Sequence, residues 1–335
     1  MDTSNIESDS DIKAPLGIEA NHRIISGFWR RLLAFILDGL CLGLTGLIFG
    51  LFLFDPLSRL GVWGRLLGFC IAMVYFGVLN SVIGKGQTIG KRIMKIEVVD
   101  RSGNHLSLCR SLLRYAVLGI PFFLNGAMIS PNVMMSPMGF LMGFFLFGAG
   151  GAIIYLYIFN QHTRQSLHDL VAGSFVTRTT PEGQVVDSMW KPHLIVVGIW
   201  FLAVVGLSVI MTGLSKKSIF QELLVVQRKI QSSGKVHMVT ATVGKRWNVV
   251  DGNRSETTYF QSNTIWKERP HDNEAAAQQM ASLILQNYED IMDKDVLAVT
   301  ITYGYDIGIA RAWKTQRFQH SPLEWQKILD KSSVE

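Results

Sequence analysis

The feature that most constrains this chain is a series of long apolar runs confined to its first two thirds. A helix crossing the hydrocarbon core of a bilayer needs roughly 20 apolar residues. Five runs approach that length: Leu32–Phe54, Leu66–Ile83, Leu112–Ile129, Met138–Phe159 and Leu194–Thr212. Backbone N–H and C=O groups cannot stay unpaired in lipid, so such runs must be helical. The third is interrupted by Pro121 and Asn125, and neighbouring helices or water must satisfy the freed backbone groups. Charged residues make up 17% of the chain, against about a quarter in soluble proteins, and the deficit falls within residues 32–213. Residues 214–335 read as ordinary soluble sequence. The expected fold class is a multi-pass α-helical membrane protein with a small soluble α+β C-terminal domain.

Charge placement sets an expected orientation. The segment from Gly84 to Arg114 holds seven basic residues (Lys85, Lys91, Arg92, Lys95, Arg101, Arg110 and Arg114) against two acidic ones. The excess of lysine and arginine in cytoplasmic loops places this segment in the cytoplasm. Arg30 and Arg31, two spans earlier, fall on the same side by parity. Five spans then put the amino terminus inside and the domain from about Lys216 outside; Lys216 and Lys217 argue weakly against it. The net charge of +6 gathers beside the spans rather than in one stripe, so nucleic acid is not an expected partner. Residues 1–27 are expected as a disordered tail without a cleavable signal sequence, and the first span serves as its own insertion signal. Residues 179–213 then form a linker and the fifth span. Cys41, Cys70 and Cys109 lie in or beside apolar runs, and the soluble region has no cysteine to build a disulfide framework.

Local patterns predict further elements. "RIMKIEVVD" alternates as a strand, "RSGN" is a turn signal and "HLSL" could return as its partner, with a similar hairpin over residues 173–187. In the C-terminal region a helix is expected over "SIFQELLVVQRKIQ", a long strand or strand pair from Lys235 to Val250, and a helix from Asn273 to Met292 capped by Asp272 or Asn273. Two strands around a glycine-containing turn, "VLAVTITYGYDIGIARAWKTQRF", and a short helix over "SPLEWQKILD" complete it.

Asp38 is the only charged residue between Leu32 and Phe54. A carboxylate near the middle of a spanning helix costs about 2.5–3.5 kcal/mol on insertion scales, so it faces a partner or an aqueous cavity. Seven residues are about 700° of helix rotation, which puts Arg31 on the Asp38 face about 10 Å away along the axis. Arg30 is turned about 100° aside, and Thr45 continues the Arg31–Asp38 stripe. Either a ligand or ion site or a structural pair locking helices together would explain these residues. Gly39, Gly43, Gly46 and Gly50 line one face of the same run, the pattern that lets another helix approach closely. Gly139 and Gly143 offer a counterpart. Asn80, at the end of the second run, is a further polar candidate, as are Arg114 and His168.

Other motifs carry less chemistry. "GKGQTIGKR" is not a phosphate loop, because Lys85 stands where glycine is required and Arg92 where serine or threonine is. His162 and His168 are six residues apart with no cysteine nearby, a poor metal spacing. His237, His271 and His320 are scattered and form no hydrolase constellation. No enzyme activity, metal or cofactor is expected.

Three blocks, "RRLLAFILD", "GQTIGKRIMKIEVVDRSGNHLSLCRSLLR" and "RQSLHDLVAGSFV", occur in an order that resembles the RDD family of bacterial integral membrane proteins, over residues 28–178. The family takes its name from one arginine and two aspartates, which the resemblance assigns to Arg31, Asp38 and Asp169. It implies a bacterial inner-membrane protein involved in transporting ligands. The fifth span and the soluble domain lie outside the resemblance. The expected function is transport of an ion or small polar solute through a site that includes Asp38. The alternative is a non-transporting scaffold whose C-terminal domain binds an envelope partner. Oligomeric state stays open.

Overall fold

The computed structural model describes residues 24–134, 136–179, 189–214, 218–250 and 253–332. The expected disordered tail therefore lies almost wholly outside the described residues. Helix α1 runs over Phe28–Phe52; α2 (Phe54–Leu60) and α3 (Trp63–Leu79) follow, meeting at a bend of 108°. A surface segment then carries α4 (Ile89–Ile93) and β1 (Ile96–Asp100). Helices α5 (Leu108–Leu124), α6 (Pro131–Met134) and α7 (Pro137–Gly143) come next, and α7 continues through a π-helical stretch into α8 (Gly150–Phe159). Helix α9 (Leu167–Ala172), β2 (Ser174–Arg178) and α10 (Pro192–Leu214) complete the apolar part.

Among the described residues, three stretches are long and apolar enough to cross a membrane: Phe28–Phe52, Pro137–Phe159 and Pro192–Ile210. The bent α2–α3 pair would make a fourth. By length and composition the described residues thus hold three to four such stretches against the five expected. The expected span at Leu112–Ile129 is α5, a helix of 17 residues that falls short of that length. It begins earlier, at Leu108, where the Ser107 side chain accepts from the Arg110 N–H. It ends at Leu124, three residues past Pro121, so it is short and carries Arg110 and Arg114 in its opening turns.

The surface strands also depart from expectation. β1 does not return through "HLSL". It pairs antiparallel with β2, from Ile96 opposite Arg178 to Asp100 opposite Ser174. The apolar residues of both strands (Ile96, Val98 and Val176) are buried against Ala34 of α1 and Leu106. A local hairpin would leave that face uncovered. The long-range pairing closes the module by joining the segment before α5 to the segment after α9. The second half of the hairpin expected over residues 173–187 lies outside the described residues from 180 onwards.

The C-terminal region forms α11 (Ser218–Ser232), β3 (Val236–Val250), β4 (Asn253–Trp266), α12 (Asn273–Asn287), β5 (Val296–Asp306), β6 (Arg311–His320) and α13 (Pro322–Ser332). The sheet order is β3-β4-β5-β6, with only β4 and β5 parallel. Its core gathers Phe260, Met280, Ile284, Leu297 and Trp325 beneath the helices. Asp272 caps α12 by accepting from the Glu274 and Ala275 N–H groups. That helix stops at Asn287 instead of Met292, and a 3-10 turn follows over Glu289–Asp293.

The tip of the β5–β6 hairpin docks into the apolar module. Ala310 lies over Gly46, where an added Cβ would stand 2.7 Å from the Ala310 Cβ. A Cβ on Gly64 would stand 2.7 Å from the Asp306 carbonyl oxygen, and one on Gly68 would overlap the Ile307 carbonyl. Tyr305 covers Gly50 in the same way. Arg65 of α3 holds the Asp306 carboxylate at 2.6 Å, and the Tyr303 hydroxyl donates to Asp55 at 2.9 Å. The glycine face of α1 therefore receives a β-hairpin, not the helix that was expected. Gly39 has open space beside it, and so does Gly143. The four-stranded sheet and the β1–β2 pair consequently lie at opposite ends of α1.

Candidate functional site

The site grows from the first half of α1, whose buried positions are Arg31, Ala34, Asp38, Leu42, Gly46 and Gly50. Thr45 is not among them. It is exposed, and its hydroxyl donates to the Cys41 carbonyl of its own helix. Two heptads leave about 40° of drift in a straight helix, enough to turn position 45 off the stripe.

Arg31 and Asp38 share a face without forming a pair. Asp38 receives the Tyr75 hydroxyl at 2.7 Å, the Thr88 hydroxyl at 2.6 Å and the Gly90 N–H at 2.8 Å. Thr88 is also the N-cap of α4, accepting from the Lys91 N–H. The carboxylate thus occupies the start of that short helix, where N–H groups lack intrahelical partners. A side chain at position 90 would collide with the Ala34 carbonyl of α1, so glycine is required for this approach. The run Thr88-Ile89-Gly90-Lys91 is accordingly a clasp around Asp38.

Arg31 instead meets Asp169, which is fully buried on α9. The Arg31 Nη2 lies 2.6 Å from Asp169 Oδ2, and its Nη1 donates to the Arg164 carbonyl. Arg114 of α5 binds the other carboxylate oxygen twice, Nη2 at 2.6 Å and Nε at 2.9 Å. Both are charge-assisted bonds, stronger than those between neutral groups. The Ser174 hydroxyl and the Ser166 N–H, both at 3.2 Å, complete the shell. Burial pushes the Asp169 carboxyl up, but the Arg114 and Arg31 guanidinium groups outweigh this and hold it well below the usual carboxylate range. Asp169 therefore ties α1, α5 and β2 together as an anion.

These residues bound a cavity of about 310 Å³ lying between α1, α5 and α8. Its polar end is formed by Arg31, Asp38, Asn80, Lys91, Arg114 and His168; aromatic and aliphatic side chains make the rest. Lys91 is half-buried and donates to the Asn80 Oδ1. Burial first, and then Arg114, press its ammonium well below the ordinary lysine value, with Asp38 and Asp169 opposing. Burial likewise lowers His168 to about 3, so its imidazole is neutral, and its Nδ1 has no hydrogen-bond partner. Among the described residues no group of three His, Cys, Asp or Glu side chains could hold a metal.

Of the sequence candidates, Arg31, Asp38, Asn80, Arg114, His168 and Asp169 all meet around this cavity. Lys91, Thr88 and Tyr75 belong to the same site and were not singled out from sequence. Lys91 had an orientation role only. The one available signal for Thr88 and Gly90 was their place in a glycine-rich segment that matched no phosphate loop.

Comparison with known proteins bears on the same stretch. Residues 25–173 match the RDD family. These residues form an RDD module. A relative, the uncharacterized protein YckC of Bacillus subtilis (strain 168), is 26% identical over 158 residues, covering 47% of this chain and 86% of YckC. No solved structure matches the chain. The RDD match ends at Gly173, so its range includes Arg31, Asp38 and Asp169, the positions that the resemblance assigns, and stops before α10 and the C-terminal sheet. The RDD match thus covers the first part of the chain, and an additional apolar helix and an α+β region follow it.

Proposed function

We propose that the RDD module binds a small solute bearing negative charge in the cavity between α1, α5 and α8, and passes it across the membrane. One observation carries this reading. Asp38 and Asp169 each already hold a full set of protein donors, Arg31 and Arg114 among those on Asp169, whereas the basic side chain of Lys91 faces the cavity bonded to the neutral Asn80, and the His168 Nδ1 has no hydrogen-bond partner. Three basic side chains against two coordinated carboxylates narrow the ion or small polar solute expected from sequence to one bearing negative charge. Positions of the sheets at opposite ends of α1 support the orientation read from charge, with the basic surface segment in the cytoplasm and the C-terminal region outside.

Solute flux into proteoliposomes tests the reading. Wild-type protein should carry at least one small anion faster than Leu118→Trp, which fills the cavity, and faster than Lys91→Met. Flux through wild type equal to that of protein-free vesicles, across a broad panel of anions, would count against passage.

An interaction role is favoured by one separate observation. β4 pairs with β5 only over Tyr259–Ile265, while the β3–β4 ladder continues to Val250 and Asn253. The outer part of that hairpin stands clear of the sheet and exposes Trp247 and Val249. Deleting this arm should leave flux intact and abolish recruitment of any partner that binds there.

A further inference from the structure

The cavity has two chemically different ends, and the division identifies its ligand more closely. At one end stand Lys91, Arg114 and the open Nδ1 of His168. Away from them the wall becomes Phe35, Phe76, Tyr115, Leu118, Ile154 and Ile158. Phe35, Ile154 and Ile158 are also exposed on the outside of the module, on the apolar surface of α1 and α8. The mouth between those helices thus faces the same medium as the lipid-facing side chains.

A second, smaller cavity of about 110 Å³ carries the apolar wall onward. It shares Phe35, Phe76, Tyr115 and Leu118 with the first, then continues past Gly39 and Leu42 to Gly308 and Ile309 of the hairpin tip. Along α1 the two cavities extend from Arg31 to Leu42, about 16 Å at the rise of an α-helix. Gly39 contributes to this channel by leaving it open, since nothing lies within 4 Å of where its Cβ would be. A narrow, elongated space with a cationic end and an apolar body fits one hydrocarbon chain. Its larger chamber is at the low end of the range for small-ligand pockets, roughly 300–1,000 Å³, which leaves no room for the second chain of a bilayer lipid.

We propose that the cavity binds a single-chain anionic amphiphile, with its carboxylate or phosphate head at Lys91, Arg114 and His168 and its chain running toward the hairpin tip, entering from the bilayer between α1 and α8. The proposal rests on the reading of this cavity as a ligand site and adds the ligand's class and its route.

The test uses the full chain in nanodiscs of neutral phosphatidylcholine, photolabelled with a diazirine-bearing dodecanoic acid and mapped by peptide mass spectrometry. Label is expected in the α1 peptide around Phe35 and the α5 peptide around Leu118. Unlabelled dodecanoate or dodecyl phosphate should compete, and dodecanol should not, because it lacks the anionic head. Leu118→Trp and Lys91→Met should each lower the specific label at least fivefold, while thermal melts of both variants check that they remain folded. Label spread evenly over the outer surfaces of α1, α8 and α10, and indifferent to both variants, would overturn the amphiphile. Inorganic phosphate separates the two levels of the argument. If it stabilises wild type but not Lys91→Met, and no site-specific label forms, the cavity is a site for a soluble anion and only its ligand class was wrong. If neither probe distinguishes wild type from the two variants, the ligand-site reading itself fails.

Discussion

The two halves of α1 are held by different physics. The half with Arg31 and Asp38 is fixed by charge, each polar atom matched to a donor or acceptor on a distant segment. The half with Gly43, Gly46 and Gly50 is fixed by shape, its missing side chains replaced by the tip of the β5–β6 hairpin. Ionic packing fails abruptly when one partner is removed, since the survivor is left charged in a dry interior. Shape-based packing fails through overlap, and the neighbour can move away at a smaller cost. One helix thus has an end that tolerates little chemistry and an end that tolerates little volume.

Asp169→Asn should break that comparison most severely. It strands Arg31 and Arg114, both buried, and removing one partner of such an arrangement typically costs about 3–5 kcal/mol. A large fall in melting temperature in detergent is expected, with loss of the folded species in size-exclusion profiles. A wild-type melt would show that the cluster adds nothing to the fold.

Gly68→Val attacks the other kind of packing. Its side chain must displace the Ile307 backbone, and overpacking of this sort costs about 1–3 kcal/mol. Limited proteolysis should cut the β5–β6 loop faster in this variant, while the melt of the cluster end moves less than in Asp169→Asn. Unchanged loop cleavage would place the hairpin tip elsewhere.

Acidification sharpens the comparison from the ionic side. His168 is held at about 3 against an ordinary 6.5, chiefly by burial. An unfolded chain takes up a proton that the folded one refuses, so this contribution is complete above about pH 6.5 and is lost as pH falls toward 3. Stability against denaturant should decline over that window, and His168→Asn should flatten the decline.

The smallest effect separates neighbouring arginines. Arg30 is exposed and outside the cluster, so Arg30→Ala should change stability by no more than about 0.5 kcal/mol. Arg31→Ala removes the Asp169 contact and should cost several times as much. Equal losses would reduce both to orientation signals.

Much of this was legible in sequence, for identifiable reasons. Helical rotation alone places Arg31 and Asp38 on one face, and the apolar runs locate α1, α8 and α10. Rotation does not say that two side chains about 10 Å apart will find other partners. The donors to Asp38 come from Tyr75, Thr88 and Gly90, and the carboxylate for Arg31 lies 138 positions along the chain. Only the family resemblance connected Arg31 with Asp169. The glycine stripe likewise announced a close approach without naming the visitor, because a flat helix face accepts a hairpin as readily as a helix. β1 was misassigned to a nearby strand for the same reason. Periodicity marks an element and its buried side, while the partner depends on contacts between remote segments.

The hairpin tip also sets an order of events in time. Domains emerging from the ribosome tend to organise from the amino terminus onward, yet the slots at Gly46, Gly64 and Gly68 are filled by residues 306–310, made only after the helices and strands between them. Until those residues have been synthesised and carried to the far end of α1, the earliest helices keep an unfilled face. Any message that terminates before Asp306 leaves a module missing part of its own wall, and α1 and α3 wait on a segment far along the chain for their final packing.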